Sequence, residues 1–133
     1  MGMEDVWYQA HDFAMENFGP IGCAEALVIF RQIDWEAELV QEAAKLQTRE
    51  DCCPAGMGFR VDEGTFLHLM PTKKGTQILL EWEVPSNFLG LFKIKKNRQS
   101  FVEGFPDEKV PGLLEDFYAG RMDTVRRSLG PGR

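Results

Sequence analysis

Apolar residues along this 133-residue chain change their period twice. From Glu4 to Phe18 the positions Val6, Trp7, Ala10, Phe13 and Ala14 fall on one face at helical spacing, which predicts a helix. Gly19-Pro20-Ile21-Gly22 then breaks the chain, because proline cannot continue a helix and glycine relaxes the turn. From Cys23 to Leu46 the set Ala26, Phe30, Ile33, Ala37, Val40 and Ala44 steps alternately by four and three, a single helical stripe. Asp34 offers a second reading, as the N-cap of a separate helix starting at Trp35. Residues 47 to 58 carry turn formers around Asp51-Cys52-Cys53-Pro54 and read as a loop.

After that loop the period becomes two. Met57 to Val61 and Thr65 to Met70 read as strands joined by Asp62-Glu63-Gly64, with the glycine where a three-residue hairpin loop turns left-handed. A second turn at 71–75 leads into a long strand, Thr76 to Val84. These turns set a register in which Val61 faces Thr65, Arg60 faces Phe66, Phe66 faces Glu81 and Leu67 faces Leu80. One face then collects Met57, Phe59, Val61, Leu67, Leu69, Ile78, Leu80, Trp82 and Val84, and is the expected core. The other collects Arg60, Phe66, His68, Met70, Gln77, Leu79, Glu81 and Glu83, apolar and ionisable groups intermixed.

Beyond Val84 the pattern predicts a turn at Pro85-Ser86-Asn87, a strand over 91–96, a reversal at Asn97-Arg98 and a strand over 99–103. Pro111 suits a helix start, with Leu113, Leu114, Phe117 and Tyr118 as its apolar face, and Met122, Val125 and Leu129 mark a last short helix. The expected fold is therefore α+β, one domain over residues 1–133. N-terminal helices precede an antiparallel meander sheet of four to five strands, and C-terminal helices pack on the sheet.

Composition sharpens this picture in three ways. Apolar residues make up 44% of the chain, with ten Phe and three Trp, enough for a core without disulfides or a structural metal. The apolar runs, 26–30 and 88–92, are far too short to span a bilayer, and the acidic N-terminus lacks the basic start of a signal peptide, so a cytoplasmic location is expected. The net charge of −6 is uneven: residues 1–63 hold thirteen acids against four bases, and residues 64–133 hold eight against eleven. Such a dipolar chain is suited to orienting a partner or another copy of itself, while its acidity disfavours nucleic acid.

The mixed sheet face is the leading site candidate. Arg60, Phe66, His68, Met70, Leu79, Glu81 and Glu83 would form a half-apolar surface with a few convergent polar groups, as in a ligand-binding face. His68 and Glu81 are candidate acid–base partners, the carboxylate orienting the imidazole. Ordinary solvated sheet faces carry similar charges, and their aromatics often rest under a helix or a dimer partner. Cys23, Cys52 and Cys53 are an odd set with two adjacent members, at odds with both a disulfide framework and zinc spacing, so no metal is expected. Lys93, Lys95, Lys96 and Arg98 read as the charged edge of a sheet, with phosphate contact as the rival reading. The 88–92 run, Phe88-Leu89-Gly90-Leu91-Phe92, is expected to be buried.

No phosphate-binding loop, dinucleotide fingerprint or nucleophile elbow occurs, and Gly56 and Gly58 precede a strand rather than a helix. No cofactor is therefore expected. The residues favour a non-catalytic binding or accessory protein acting through a protein partner or a small apolar ligand, with homodimerisation one way to cover the mixed face. The alternative is a small enzyme using His68 and Glu81 on that face.

Overall fold

The computed structural model describes residues 2–88 and 92–130, and the side chains among them other than those of 85–88 and 92–96. In chain order the elements begin with a hairpin of β1 (Asp5–Gln9) and β2 (Met15–Gly19), then helices α1 (Cys23–Gln32) and α2 (Trp35–Gln47). The strands β3 (Gly56–Asp62), β4 (Thr65–Thr72), β5 (Gly75–Phe88) and β6 (Phe92–Phe105) follow, then α3 (Val110–Tyr118) and α4 (Met122–Ser128). All six strands form one antiparallel sheet in the order β2-β1-β3-β4-β5-β6. The fold is α+β, as the periodicities predict, with the sheet wider than expected.

The extra width comes from the N-terminus, where the expected helix over residues 4–18 is instead the β1–β2 hairpin. Asp5-Val6-Trp7-Tyr8-Gln9 is rich in residues that suit a pleated surface. Pairing with β3 sends Val6 into the core while Trp7 points to the opposite face. The reversal is closed locally, with Ala14 N–H donating to the Asp12 side chain and Phe13 taking a left-handed φ of 69°. Helical spacing at Ala10 and Ala14 loses to this arrangement because β3 would otherwise present an unpaired edge.

The meander keeps the expected register at Arg60↔Phe66, Phe66↔Glu81 and Leu67↔Leu80. A bulge between Arg60 and Asp62 corrects the Val61–Thr65 pairing: Asp62 faces Thr65, and Asp62 Oδ1 accepts from Gly64 N–H at 2.9 Å. No turn forms at 85–87 or at 97–98. Instead β5 and β6 pair continuously from Thr76↔Phe105 to Phe88↔Phe92. Pro85 is tolerated because β5 at that point has β6 on one side and has run past its last pair with β4. Residues 89–91 of the expected buried run lie outside the described residues.

One sheet face is the core. Val6, Met57, Phe59, Leu67, Leu69, Ile78 and Leu80 are all 0% exposed and pack with Ala26, Val110, Leu113, Leu114, Phe117 and Val125 from the helices. Each such large side chain contributes about 1.5–3 kcal/mol by leaving water. Tyr118 lies edge-on to Phe59 and donates its hydroxyl hydrogen to Ile21 O at 3.0 Å, tying α3 to the start of α1.

Helix α2 is held differently, for it has no fully buried residue. The single helical stripe expected from Cys23 to Leu46 is broken at Ile33-Asp34: Asp34 caps α2, accepting from Ala37 N–H at 3.0 Å, so α1 and α2 are separate helices, the alternative that the cap offered. Trp35 packs on Phe30 and Tyr8, and its indole N–H donates to Phe30 O. Polar contacts to β1 and its turn add to this attachment.

Candidate functional site

The register lays the second sheet face out in cross-strand rows. The central row reads Asn17, Trp7, Gly58, His68, Leu79 and Phe101 across all six strands. On one side of it runs Asp5, Arg60, Phe66, Glu81 and Gln99; on the other lie Met15, Gln9, Gly56, Met70 and Gln77. Glycines apart, every described residue in these three rows is half-buried or exposed, whereas the core face is dry. Buried residues of α1, α3 and α4 pack on the core face, not on this one.

Trp7 dominates the middle of the open face. A Cβ on Gly58 would overlap its Cζ2 and Cε2, so the indole lies flat in the gap that the glycine leaves. From there it reaches the His68 ring, with centroids 6.4 Å apart, and it carries the Arg60 guanidinium 5.5 Å from its own centroid. Gly56 serves the neighbouring strand in a similar way, since a Cβ there would stand 2.7 Å from His68 Nε2. The two glycines, uninformative as a phosphate-loop signal, let a tryptophan and a histidine lie down on the sheet.

The structure brings Arg60, Phe66, His68, Met70, Leu79 and Glu81 onto one face, together with Trp7 and Phe101. It does not join His68 to Glu81 as acid and base. His68 faces Leu79, Glu81 faces Phe66, and the buried His68 Nε2 has no hydrogen-bond partner. Burial pushes the imidazole pKa below its ordinary value. Glu83 packs over Gly64, where a Cβ would overlap its carboxyl group.

A second polar cluster links β1 to α2. Tyr8 O–H donates to Glu38 Oε1, while Glu38 Oε2 takes the His11 backbone N–H at 3.0 Å and also meets His11 Nδ1. Burial works to raise the Glu38 carboxyl, but the hydrogen bonds from Tyr8 and His11 outweigh it and hold it below its ordinary value. Burial, reinforced by the Glu38 carboxylate, pushes the Tyr8 phenol up. Glu42, one turn along α2, is raised by burial with His11 opposing. Sequence reading missed this cluster because it placed Tyr8 and His11 in a helix.

Beside it lies a cavity of about 180 Å³ between α2 and the ends of β3, β4 and β5, lined by Trp35, Glu38, Glu42, Met70 and Gln77 among others. Small-molecule sites usually occupy roughly 300–1,000 Å³, so this space is undersized for a cofactor. The cysteines are packed thiols. Cys53 Sγ donates to Ala10 O at 3.2 Å and burial raises its pKa, the reverse of what activates a nucleophile. Among the described residues no group of three or more His, Cys, Asp or Glu is placed to hold a metal ion. Nor is any helix among them long and apolar enough to cross a membrane. The side chains of Lys93, Lys95 and Lys96 lie outside the described residues, so the basic edge is located only by its backbone in β6.

Comparison with known protein families, with curated proteins and with solved structures finds no match. Function is therefore argued from the chain's own geometry.

Proposed function

We propose that this chain is a non-catalytic binding protein that holds another protein surface against its open sheet face. The observation that carries the reading is the central row: Trp7, His68, Leu79 and Phe101 form a largely apolar stripe, and the rows on either side mix charged and polar positions with Phe66, Met15 and Met70. An apolar centre with a polar rim is how protein interfaces are built, and tryptophan and arginine are their commonest anchors. The Trp7–Arg60 stack supplies both at one place. A small-ligand role is less favoured, because the cavity beside α2 is smaller than small-molecule sites usually are. The proposed His68–Glu81 pair finds no support in the register, which sets His68 against Leu79 and Glu81 against Phe66.

Phe66 and Leu79 are half-buried on the open face and contribute nothing to the core. Phe66→Asp and Leu79→Asp should therefore abolish association while leaving the thermal melt close to that of the wild type. Light scattering on a sizing column and affinity capture from cells read the association. Unchanged association in both variants, with folding intact, contradicts the proposal.

A further inference from the structure

The cavity beside α2 is the size of one side chain. A cavity of about 150 Å³ takes up benzene, so this one, at about 180 Å³, holds about six or seven heavy atoms. Trp35, Leu39 and Met70 give it apolar walls, and no lysine, arginine or histidine is among its lining residues. Most of its polar groups are already engaged. Glu38 accepts from Tyr8 and His11, the Thr72 hydroxyl donates to Gly75 O at 2.6 Å, and the Trp35 indole N–H donates to Phe30 O. Glu42 differs: among the described residues its carboxylate has no hydrogen-bond or ion-pair partner, and His11, whose charge would favour it, is held by Glu38. Burial raises the Glu42 carboxyl pKa against that pull, as expected of a charge without a counter-ion. Met70 and Gln77, paired across β4 and β5 in an outer row of the open face, also line the cavity, so it adjoins that face.

We propose that the partner held on the open face places a lysine side chain in this cavity, its ammonium on Glu42 and its alkyl stem against Leu39 and Met70. This deepens the binding reading above and rests on it. The four-carbon stem and ammonium of lysine make five heavy atoms, within the space available. Its three donors find acceptors in the Glu42 carboxylate and the Gln77 amide oxygen, too few for the five donors of an arginine. An acidic side chain would meet two carboxylates, and an apolar one would cover Glu42 without pairing it. Charge on the adjoining face agrees. Its described side chains include Asp5, Glu81 and Glu83 against Arg60, which faces Asp5 and stacks on Trp7. Such a face steers a basic partner.

Titration with n-butylammonium chloride, which has the stem and ammonium of lysine, tests the cavity directly. The full chain is labelled with 15N and followed by NMR, with n-butanol as the neutral analogue and sodium chloride as the salt control. Butylammonium should shift the Trp35 indole and the Leu39 and Gln77 amides along one saturable curve, with Kd on the order of 10 mM. Exchanging it for butanol, or Glu42 for Gln, should weaken binding about tenfold or more, with the Glu42→Gln melt close to the wild type's. No saturable shift at about 100 mM overturns the lysine site. So do equal binding of butanol, equal binding by Glu42→Gln, or shifts that sodium chloride reproduces. Capture from cells then ties the cavity to the partner: species lost with Leu79→Asp should also be lost with Glu42→Gln. Their retention by Glu42→Gln alone overturns the partner's lysine as occupant, and with butylammonium binding intact it assigns the cavity to a free amine. The binding reading survives either result and falls only if Leu79→Asp captures as the wild type does.

Discussion

The seating of Trp7 on Gly58 makes a quantitative prediction about a residue that has no side chain of its own. Gly58 has no left-handed φ to excuse a glycine; its Cβ position is excluded because the Trp7 indole occupies it. Gly58→Ala must therefore push the ring away, breaking its contact with His68 and its stack under Arg60. The aromatic contact is worth about 0.5–1.5 kcal/mol and the cation–π stack about 0.5–1 kcal/mol. Alanine returns about 0.5–1 kcal/mol by restricting the unfolded chain. The net cost is about 1 kcal/mol. In a Trp7→Ala background the obstruction is gone, and Gly58→Ala should be neutral or stabilising by up to about 1 kcal/mol. Urea unfolding of the four proteins, followed by circular dichroism at low micromolar concentration, closes the cycle with an expected coupling of about 2 kcal/mol. Equal effects of Gly58→Ala in the two backgrounds refute the packing described here.

Three further outcomes follow from individual contacts. Asp34→Ala removes the α2 cap and should lower stability by about 1 kcal/mol, read from the urea midpoint; an unshifted midpoint contradicts the capping role. Glu38 is held below its ordinary value of 4.5, so its contribution is present above that value and is lost as pH falls through the folded one. Stability of the wild type should therefore fall more steeply between about pH 5 and 3 than that of Glu38→Gln; parallel curves argue against the Tyr8–Glu38–His11 anchor. His68 is lowered from 6.5 by burial, so the unfolded chain takes up its proton first as pH falls and stability drops through that range. His68→Leu should flatten the curve between about pH 7 and 5, and an unchanged slope assigns the effect elsewhere.

Much of this architecture was legible in the residues. Period-two alternation from Met57 to Val84 located the core face and the register of β4 against β5, because a one-residue slip would have exposed Phe59, Leu67 and Leu80 together. Pro111 and Asp34 marked helix starts through local chemistry that tertiary context did not override. The failures share a cause, which is that pairing partners distant in sequence decide ambiguous segments. Trp7 and Tyr8 fit either period, and β3 is what commits them to a strand. Pro85 and Asn97-Arg98 look like turns until β5 and β6 pair along their whole lengths. The open face was assembled correctly from Arg60 to Glu81, but its central anchor was lost with the misread N-terminus. The Tyr8–Glu38–His11 cluster was lost in the same way.

The most direct test of the open face is hydroxyl-radical footprinting of the chain inside cells, compared with purified protein diluted until it is monomeric. Trp7, Phe66, Met70 and Phe101 should be protected in cells, while Val40 and Leu46, exposed on α2, should react equally in both samples. Equal oxidation of the sheet residues in the two samples, or protection confined to α2, contradicts the account.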